Sequence, residues 1–175
     1  MENVITSKEE FYSQEFANIS LSRKELTGKE FDCCVFNSCD FSEAIVRNCK
    51  FSNCKFVNCS LSLLSTINSK FLEVEFQECK MLGIDWTKAY WRGLVLGSQL
   101  QFKKCLINSS SFYGLNQAGI TIEACQAHDV DFREANFNLA TNYDININNN
   151  IIRTAKFCRY EAVRLLESLG IDLIS

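Results

Sequence analysis

The chain has 175 residues, 47% of them hydrophobic and 22% charged, which is typical of one globular domain. A formal net charge of −3 argues against a protein that holds nucleic acid through many basic contacts. No segment approaches the ~20 apolar residues of a membrane span, and the first ten residues do not resemble a signal peptide. We therefore expect a cytoplasmic protein that binds neither nucleic acid nor membrane.

Apolar residues recur at every fifth position through most of the chain. From Phe11 to Leu96, 17 of the 18 residues in this frame are apolar. The frame slips by one residue near Gly97–Gln101 and resumes from Phe102 to Phe157, where 10 of 12 are apolar. The total of 27 in 30 compares with about 14 expected from the overall hydrophobicity. The repeat is therefore the main signal in this sequence.

A period of five fits neither an α-helix nor a flat strand, because successive central residues would point in different directions. If each unit turns the backbone by a quarter circle, four units close one coil of a solenoid and residues twenty apart stack. Thirty units predict seven to eight coils and a rod of roughly 35 Å at the spacing of hydrogen-bonded strands. The predicted columns include Phe11, Phe31, Phe51, Phe71 and Trp91, and next to them Phe16, Phe36, Phe56, Phe76 and Leu96.

The cysteines follow the same frame. Eight of the ten lie two residues before a central apolar position, where a small side chain must also face inward: Cys34, Cys39, Cys49, Cys54, Cys59, Cys79, Cys105 and Cys125. Their spacing matches no tetrahedral zinc motif, and disulfides are not expected in a reducing cytosol. We predict reduced core residues without metal, with Cys39, Cys59 and Cys79 in one column. Replacing Cys59 by Ser should then bury a hydroxyl that lacks a partner.

No catalytic pattern accompanies the repeat. His128, the single histidine, falls at an outward position, and neither a nucleophile elbow nor a glycine-rich phosphate loop is present. A packed solenoid interior leaves no cavity for a substrate. We expect a protein without catalytic residues or cofactor, which binds partners through its outer faces or its ends.

Charge is uneven along the second half of the chain. Residues 86–122 carry Lys88, Arg92, Lys103 and Lys104 and no acid. The acids of residues 123–144 all fall at outward positions: Glu123, Asp129, Asp131, Glu134 and Asp144. They form either an ordinary solvated surface or an acidic partner-binding face that imitates the phosphates of DNA. Breaks of the repeat at 97–101, 113–119 and 141–150 predict either loops or tolerated irregularities.

The period becomes helical after Phe157. We divide the chain into a repeat domain, residues 1–157, and a C-terminal capping and dimerisation segment, residues 158–175. Gly170 is placed to end the helix. The apolar side chains on one face of this helix cover more area than a cap of the solenoid requires, so a two-fold homodimer is expected. The predicted interface residues are Tyr160, Val163, Leu166, Leu169, Ile171 and Leu173.

The units resemble those of the pentapeptide-repeat family: a small residue, a polar residue, Leu or Phe, and two polar residues. Examples are CDFSE (39–43), CKFSN (49–53), CKFVN (54–58), VDFRE (130–134) and ANFNL (135–139). The resemblance covers approximately residues 11–157 and implies an all-β fold, a right-handed quadrilateral β-helix, with a short C-terminal α-helix.

The tail resembles one branch of that family. DININNNII (144–152), AKF (155–157) and LLESLGI (165–171) look like the ending of the topoisomerase-interacting branch, which includes the Qnr-type quinolone-resistance proteins and the microcin B17 immunity protein. This resemblance implies an acidic, rod-shaped dimer that binds DNA gyrase or topoisomerase IV where DNA would lie. The alternative is a general protein-interaction scaffold of the same family with no topoisomerase target.

Overall fold

The five-residue units wind into a parallel β-solenoid of about seven coils, followed by one short helix. This arrangement is seen in a computed structural model that describes residues 5, 7–92, 100–116, 119–141 and 145–171. The predicted solenoid is confirmed. Each strand contains an apolar residue of the five-residue frame, such as Phe36 in the strand Val35–Asn37, and that residue is buried in all of them except Lys156–Phe157, where Phe157 is partly buried.

A left-handed residue at the end of most described units turns the chain; Lys88 and Asn149 are exceptions. Asn48, Asn53 and Asn58 have φ of 53°, 52° and 52°. Asparagine tolerates this conformation better than most residues. The turn places the next three-residue strand on the next side of the coil, which is why the period is five.

The solenoid has four sides, three of which carry named strands. Side 1 carries β1, β4, β7 and β9 and, further along the rod, β13 and β14; side 2 carries β2, β5, β8, β10, β11 and β12. Side 4 carries β3 and β6, and side 3 is held by isolated bridges such as Ser20–Asp40 and Asp40–Ser60. In chain order the strands are β1 (Glu10–Tyr12), β2 (Glu15–Ala17), β3 (Glu25–Thr27), β4 (Glu30–Asp32), β5 (Val35–Asn37), β6 (Ile45–Arg47), β7 (Lys50–Ser52), β8 (Lys55–Val57), β9 (Lys70–Leu72), β10 (Val74–Gln77), β11 (Leu100–Lys103), β12 (Thr121–Glu123), β13 (Asn136–Phe137) and β14 (Lys156–Phe157).

Phenylalanine rings stack along the axis as predicted. Phe11 pairs with Phe31 and Phe31 with Phe51, with ring centroids 4.8 and 5.0 Å apart and planes within 10°. The first column continues to Phe71, but Trp91 is tilted by 31° from that ring and only half-buried. Stacked rings on side 1 contact those on side 2 edge to face, so two columns fill much of the core.

The predicted end of the second column was wrong. Phe76 stacks on Phe102, at 5.4 Å, and β10 pairs with β11 in a register of 26 residues rather than 20. The chain therefore holds six extra residues at this point, one whole unit more than the predicted slip. A frame counted in fives cannot distinguish one extra residue from six, which is why Leu96 was placed in this column. Leu96 itself lies outside the described residues, as do Gly97 to Gln99.

The later breaks differ in how much of them the structure describes. Gln117 and residues 142–144 lie outside the described chain. Asn150, at the end of the third break, takes an inward position: its Nδ2 donates to the Ala127 carbonyl at 2.7 Å, and its Oδ1 accepts from the Val130 amide at 3.0 Å. Ile145 is buried, so residues 145–150 continue the coil at both ends of this segment.

The eight predicted cysteines are all buried and free, which confirms their inward position. The column of Cys39, Cys59 and Cys79 continues through Cys105 and Cys125. Each thiol donates to a main-chain carbonyl, as Cys59 Sγ does to Phe36 O at 3.4 Å, and the Cys39 amide in turn donates to Cys59 Sγ at 3.4 Å. Cysteine here fills a small slot and also completes main-chain hydrogen bonds.

The solenoid is followed by a short helix. The last paired strand ends at Phe157, and α1 spans Val163–Glu167. Gly170 has φ of 70°, which places it in the left-handed conformation typical of helix ends, as predicted. Leu165 packs against the core. Within the described residues, no helix is long and apolar enough to cross a bilayer.

Candidate interaction surfaces

The predicted acidic residues are spread over more than one side of the rod. Glu123 ends β12 on side 2. Asp129 lies at the corner before side 4, with φ of 56°, and Asp131 and Glu134 follow in the next unit. The structure therefore brings Asp129, Asp131 and Glu134 together and leaves Glu123 apart. Asp144 lies outside the described residues.

These three acids and Arg133 form a small charged surface, which we call the side-4 patch. Arg133 donates to both carboxylate oxygens of Asp131, Nε at 2.9 Å and Nη2 at 2.7 Å. Hydrogen bonding by the Arg133 side chain lowers the pKa of Asp131. The guanidinium also lies over the Tyr113 ring at 5.4 Å, and the Tyr113 hydroxyl donates to Glu134 at 3.1 Å. The patch carries three carboxylates and the Arg133 guanidinium, and the exposed Arg153 occupies the position of Arg133 on the next coil.

Three of the four basic residues of segment 86–122 lie close to acids outside it or at its edge, whereas Arg92 is exposed and has no ion pair among the described residues. Lys103 lies 3.5 Å from Glu75, and Lys104 lies 3.7 Å from Glu78, both on the preceding coil. Lys88 lies 3.7 Å from Asp85. Stacked coils thus pair opposite charges along the axis, and the basic run in the sequence is not a basic surface in the structure.

The predicted dimer residues lie at the C-terminal end of the rod. Tyr160 is 84% exposed, and Val163, Leu169 and Ile171 are also exposed, while Leu166 is half-buried. Leu165, on the other side of α1, covers the core instead. Apolar surface thus remains beside the residue that caps the solenoid. Leu173 lies outside the described residues.

The described chain offers little for catalysis or metal binding. His128 is exposed, as predicted, and its amide donates to Asn108 Oδ1 at 3.1 Å. Burial raises the pKa of the Cys54 thiol to about 12, which suppresses the reactive thiolate. No group of three or more His, Cys, Asp or Glu side chains among the described residues is arranged to hold a metal ion.

A second acidic surface, on side 1 near the N-terminal end, escaped the sequence analysis. It is a groove lined by Glu10, Tyr12, Glu30, Asp32, Lys50 and Ser52, together with Phe11 and Phe31. The groove joins three successive strands, β1, β4 and β7. The signal available in the sequence was the spacing of twenty between Glu10 and Glu30, which the predicted coil places directly above one another.

Comparisons with known proteins agree with this architecture. Residues 29–99 match a family model described as a pentapeptide repeat region. No curated protein matches the chain in sequence. A solved structure of a trypsin-treated form of QnrB1, a plasmid-mediated fluoroquinolone resistance protein, is similar to this chain with 21% identity and a TM-score of 0.52, over 95% of this chain and 92% of that one. A second trypsin-treated form matches with 22% identity and a TM-score of 0.43, over 95% and 90%.

At this identity the likeness concerns the fold. The solved structure matches along nearly the whole chain, so it also covers coils on both sides of the segment that the family model identifies. The chain therefore contains a pentapeptide-repeat region and has the pentapeptide-repeat β-helix fold.

Proposed function

We propose that this chain is a non-enzymatic binding protein whose target is a bacterial type II topoisomerase, DNA gyrase or topoisomerase IV. It would protect that enzyme from quinolones or from a peptide toxin by occupying the place of DNA. The tail motifs support this, together with a fold shared with a protein described as conferring fluoroquinolone resistance. The observation that carries the proposal is the side-4 patch, an ordered group of carboxylates on the C-terminal coils.

The geometry of the patch suits recognition of a basic groove. Carboxylates held on a rigid rod lose little conformational entropy on binding, and complementary charge steers association. Arg133 fixes the Asp131 carboxylate in place by its two hydrogen bonds, and Tyr113 fixes Glu134 by one. A DNA-binding surface would meet these oxygens where it normally meets phosphates.

The C-terminal end would join two copies of the chain. Tyr160, Val163, Leu169 and Ile171 expose apolar surface that a second copy would cover across a two-fold axis. The side-4 patches of both subunits would then lie near the middle of a longer rod. The side-1 grooves would lie toward its two ends.

Charge reversal tests the role of the patch. Asp129→Lys, Asp131→Lys and Glu134→Lys in one protein should lower topoisomerase binding by about tenfold or more at low salt. The position of Asp131 in its unit is held by lysine in other coils, at Lys50, Lys55 and Lys70, so the fold should tolerate the change.

A matched control makes the same change of charge elsewhere on the rod. It combines Glu15→Lys, Asp40→Lys and Glu73→Lys. Asp40, like Asp131, accepts a hydrogen bond from a main-chain amide two residues on, at 2.9 Å. The control should bind almost as well as the parent. Equal loss in both variants would mean that only total charge matters, and no loss in the patch variant would refute the role of the patch.

The dimer is tested separately. Leu166→Asp with Leu169→Asp should give monomers by light scattering, because charges would be placed in an apolar contact. Glu167→Lys on the same helix changes an exposed side chain and should leave the mass unchanged. The same mass for all three proteins would mean that the interface lies elsewhere or that there is none.

A scaffold without a topoisomerase target is the second candidate, and one observation favours it. Arg133 forms an ion pair with Asp131, so the C-terminal surface is less anionic than the sequence suggests. Failure of the parent protein to bind either topoisomerase at low salt would favour this candidate.

A further inference from the structure

Side 1 carries charged residues in two blocks of opposite sign. Strand pairing places Glu10 opposite Glu30, Glu30 opposite Lys50, and Lys50 opposite Lys70. These four residues form one outward column on β1, β4, β7 and β9, which we call the first column. Its order along the rod is acid, acid, base, base, so the column becomes complementary to itself when it is reversed.

The two outer charges of the first column are not neutralised within the described chain. Glu30 and Lys50 lie 3.6 Å apart, but no ion pair to Glu10 or Lys70 is found among the described residues. Lys70 lies over the Tyr90 ring, with its Nζ 5.0 Å from the ring centroid. Glu10 and Lys70 are both exposed, so each end of the column presents an uncompensated charge of opposite sign.

The neighbouring outward column of side 1, the second column, has an apolar residue at each end. Tyr12 is 70% exposed on β1, and Leu72 is partly buried on β9. Asp32 and Ser52 lie between them in the strand register. Reversal of this column sets Tyr12 against Leu72 and Asp32 against Ser52, so no like charges meet.

We infer that side 1 binds a second copy of this chain, about a two-fold axis that runs parallel to the strands and passes between β4 and β7. This axis makes the two rods antiparallel and sets each column against the same column of the second copy. Glu10 then faces Lys70 of the second copy, and Glu30 faces Lys50. Each dimer has both contacts twice.

The order of charges selects this arrangement over similar ones. A shift of the antiparallel rods by one coil would set Lys50 against Lys50 or Glu30 against Glu30. A two-fold axis along the rod would set the first column against the second, and Glu30 would face Asp32. Juxtaposed like charges disfavour such alternatives.

The surface is small. Four coils at ~4.8 Å and strands of three residues cover a flat area of roughly 200 Å². A standard interface buries about 800 Å² on each partner. We therefore expect weak association that appears at high protein concentration and is weakened by salt.

The inference is independent of the topoisomerase proposal and of the C-terminal interface, because it concerns other residues near the other end of the chain. Sedimentation velocity over a wide range of protein concentration measures the association. The full chain with Leu166→Asp and Leu169→Asp isolates the side-1 contact, since its C-terminal contact is disrupted. Its sedimentation coefficient should rise with concentration at low salt and stay constant at high salt. The parent chain, followed for assembly beyond the dimer, gives the same comparison if this double variant does not fold.

Charge exchange between two copies locates the contact. Glu10→Lys alone and Lys70→Glu alone, each in the same background, should weaken self-association about tenfold or more, because both outer contacts would join like charges. An equimolar mixture of the two variants should associate as strongly as the background, because both contacts would again join opposite charges. The fold should tolerate these changes, since Lys50 and Glu30 occupy the same position in their own units.

A matched pair of controls makes the same changes of charge on other sides of the rod. Glu15→Lys lies on side 2 and Lys80→Glu on side 3, both at exposed positions that precede a central residue. Each control alone, and their mixture, should associate like the background.

Three results would overturn the inference. One is a sedimentation coefficient that does not change with concentration in either the background or the parent. Another is a mixture of Glu10→Lys and Lys70→Glu that associates no better than either variant alone. The third is an equal loss in the controls, which would show that total charge and not the side-1 column controls association.

Discussion

The cysteine column predicts that serine replaces Cys59 better than alanine does. Cys59 Sγ donates to Phe36 O at 3.4 Å and accepts from the Cys39 amide at 3.4 Å. The equivalent slot in another column holds Ser69, whose Oγ donates to Val46 O at 2.9 Å and accepts from the Cys49 amide at 2.9 Å. A serine hydroxyl in this slot therefore has both partners. We therefore expect the hydroxyl of Cys59→Ser to have two partners, in place of the expectation from the sequence alone that it would lack one.

The magnitudes follow from what each substitution removes. Cys59→Ser keeps the donor and the acceptor and loses the burial and dispersion of one sulfur, about 1 kcal/mol. Cys59→Ala removes the acceptor of the buried Cys39 amide, for which the described residues offer no other, and an unsatisfied buried amide costs about 1–3 kcal/mol. Together with the lost sulfur, alanine should cost about 2–4 kcal/mol. Serine should thus be the milder change, although alanine is the more apolar residue.

Unfolding in guanidinium chloride under reducing conditions, followed by far-ultraviolet circular dichroism, measures both variants against the parent. In thermal unfolding each kcal/mol should shift Tm by about 2–4 °C for a chain of this size. Replacing Cys33, which is exposed, by Ser provides the control and should change stability by less than about 0.5 kcal/mol. Alanine equal to or milder than serine at position 59 would refute the role assigned to the thiol.

Three further predictions concern the core, the corners and pH. Phe56→Ala should cost about 3–5 kcal/mol in denaturant unfolding, because Phe56 is buried and stacked on rings in both neighbouring coils; a cost below 1 kcal/mol would contradict this. Gly83→Ala and Gly28→Ala should each cost about 1–2 kcal/mol in the same assay, because both glycines have positive φ and the Leu63 Cδ2 atom that a Cβ at Gly83 would meet belongs to an exposed side chain that can turn away; no cost at either position would contradict this. Burial raises the pKa of the Cys54 thiol to about 12, against about 8.5 in the unfolded chain. The contribution of the protonated thiol to the free energy of unfolding is therefore complete below pH ~8.5 and is lost as the pH rises toward 12. Cys54→Ala should make the free energy of unfolding fall less steeply over this pH range, and parallel curves for parent and variant would contradict this.

Much of the fold could be predicted from the sequence, because a period of five restricts the backbone strongly. The apolar frame placed Phe36 and Phe56 in one stack, and the position of Cys59 before Leu61 placed its thiol inside. The register across the insertion could not be predicted, since the frame repeats every five residues and only strand pairing shows that Phe76 meets Phe102.

The candidate surfaces were less predictable, because charges pair between coils that are twenty or more residues apart. Lys103 looks unpaired along the chain and meets Glu75 only once the 26-residue register is known. Glu10 and Glu30 are twenty residues apart, so the predicted coil already places them in register, as the structure does. The placement of Asp131, in contrast, follows from its unit, whereas its bond to Arg133 depends on side-chain packing.

A supercoiling assay with DNA gyrase and ciprofloxacin tests the proposed function most directly. The parent protein should restore supercoiling of relaxed plasmid in a concentration-dependent manner. The variant with Asp129, Asp131 and Glu134 changed to Lys should restore little, while the matched control with changes at Glu15, Asp40 and Glu73 should act like the parent. No restoration by the parent on either gyrase or topoisomerase IV, or equal restoration by the patch variant, would contradict the account.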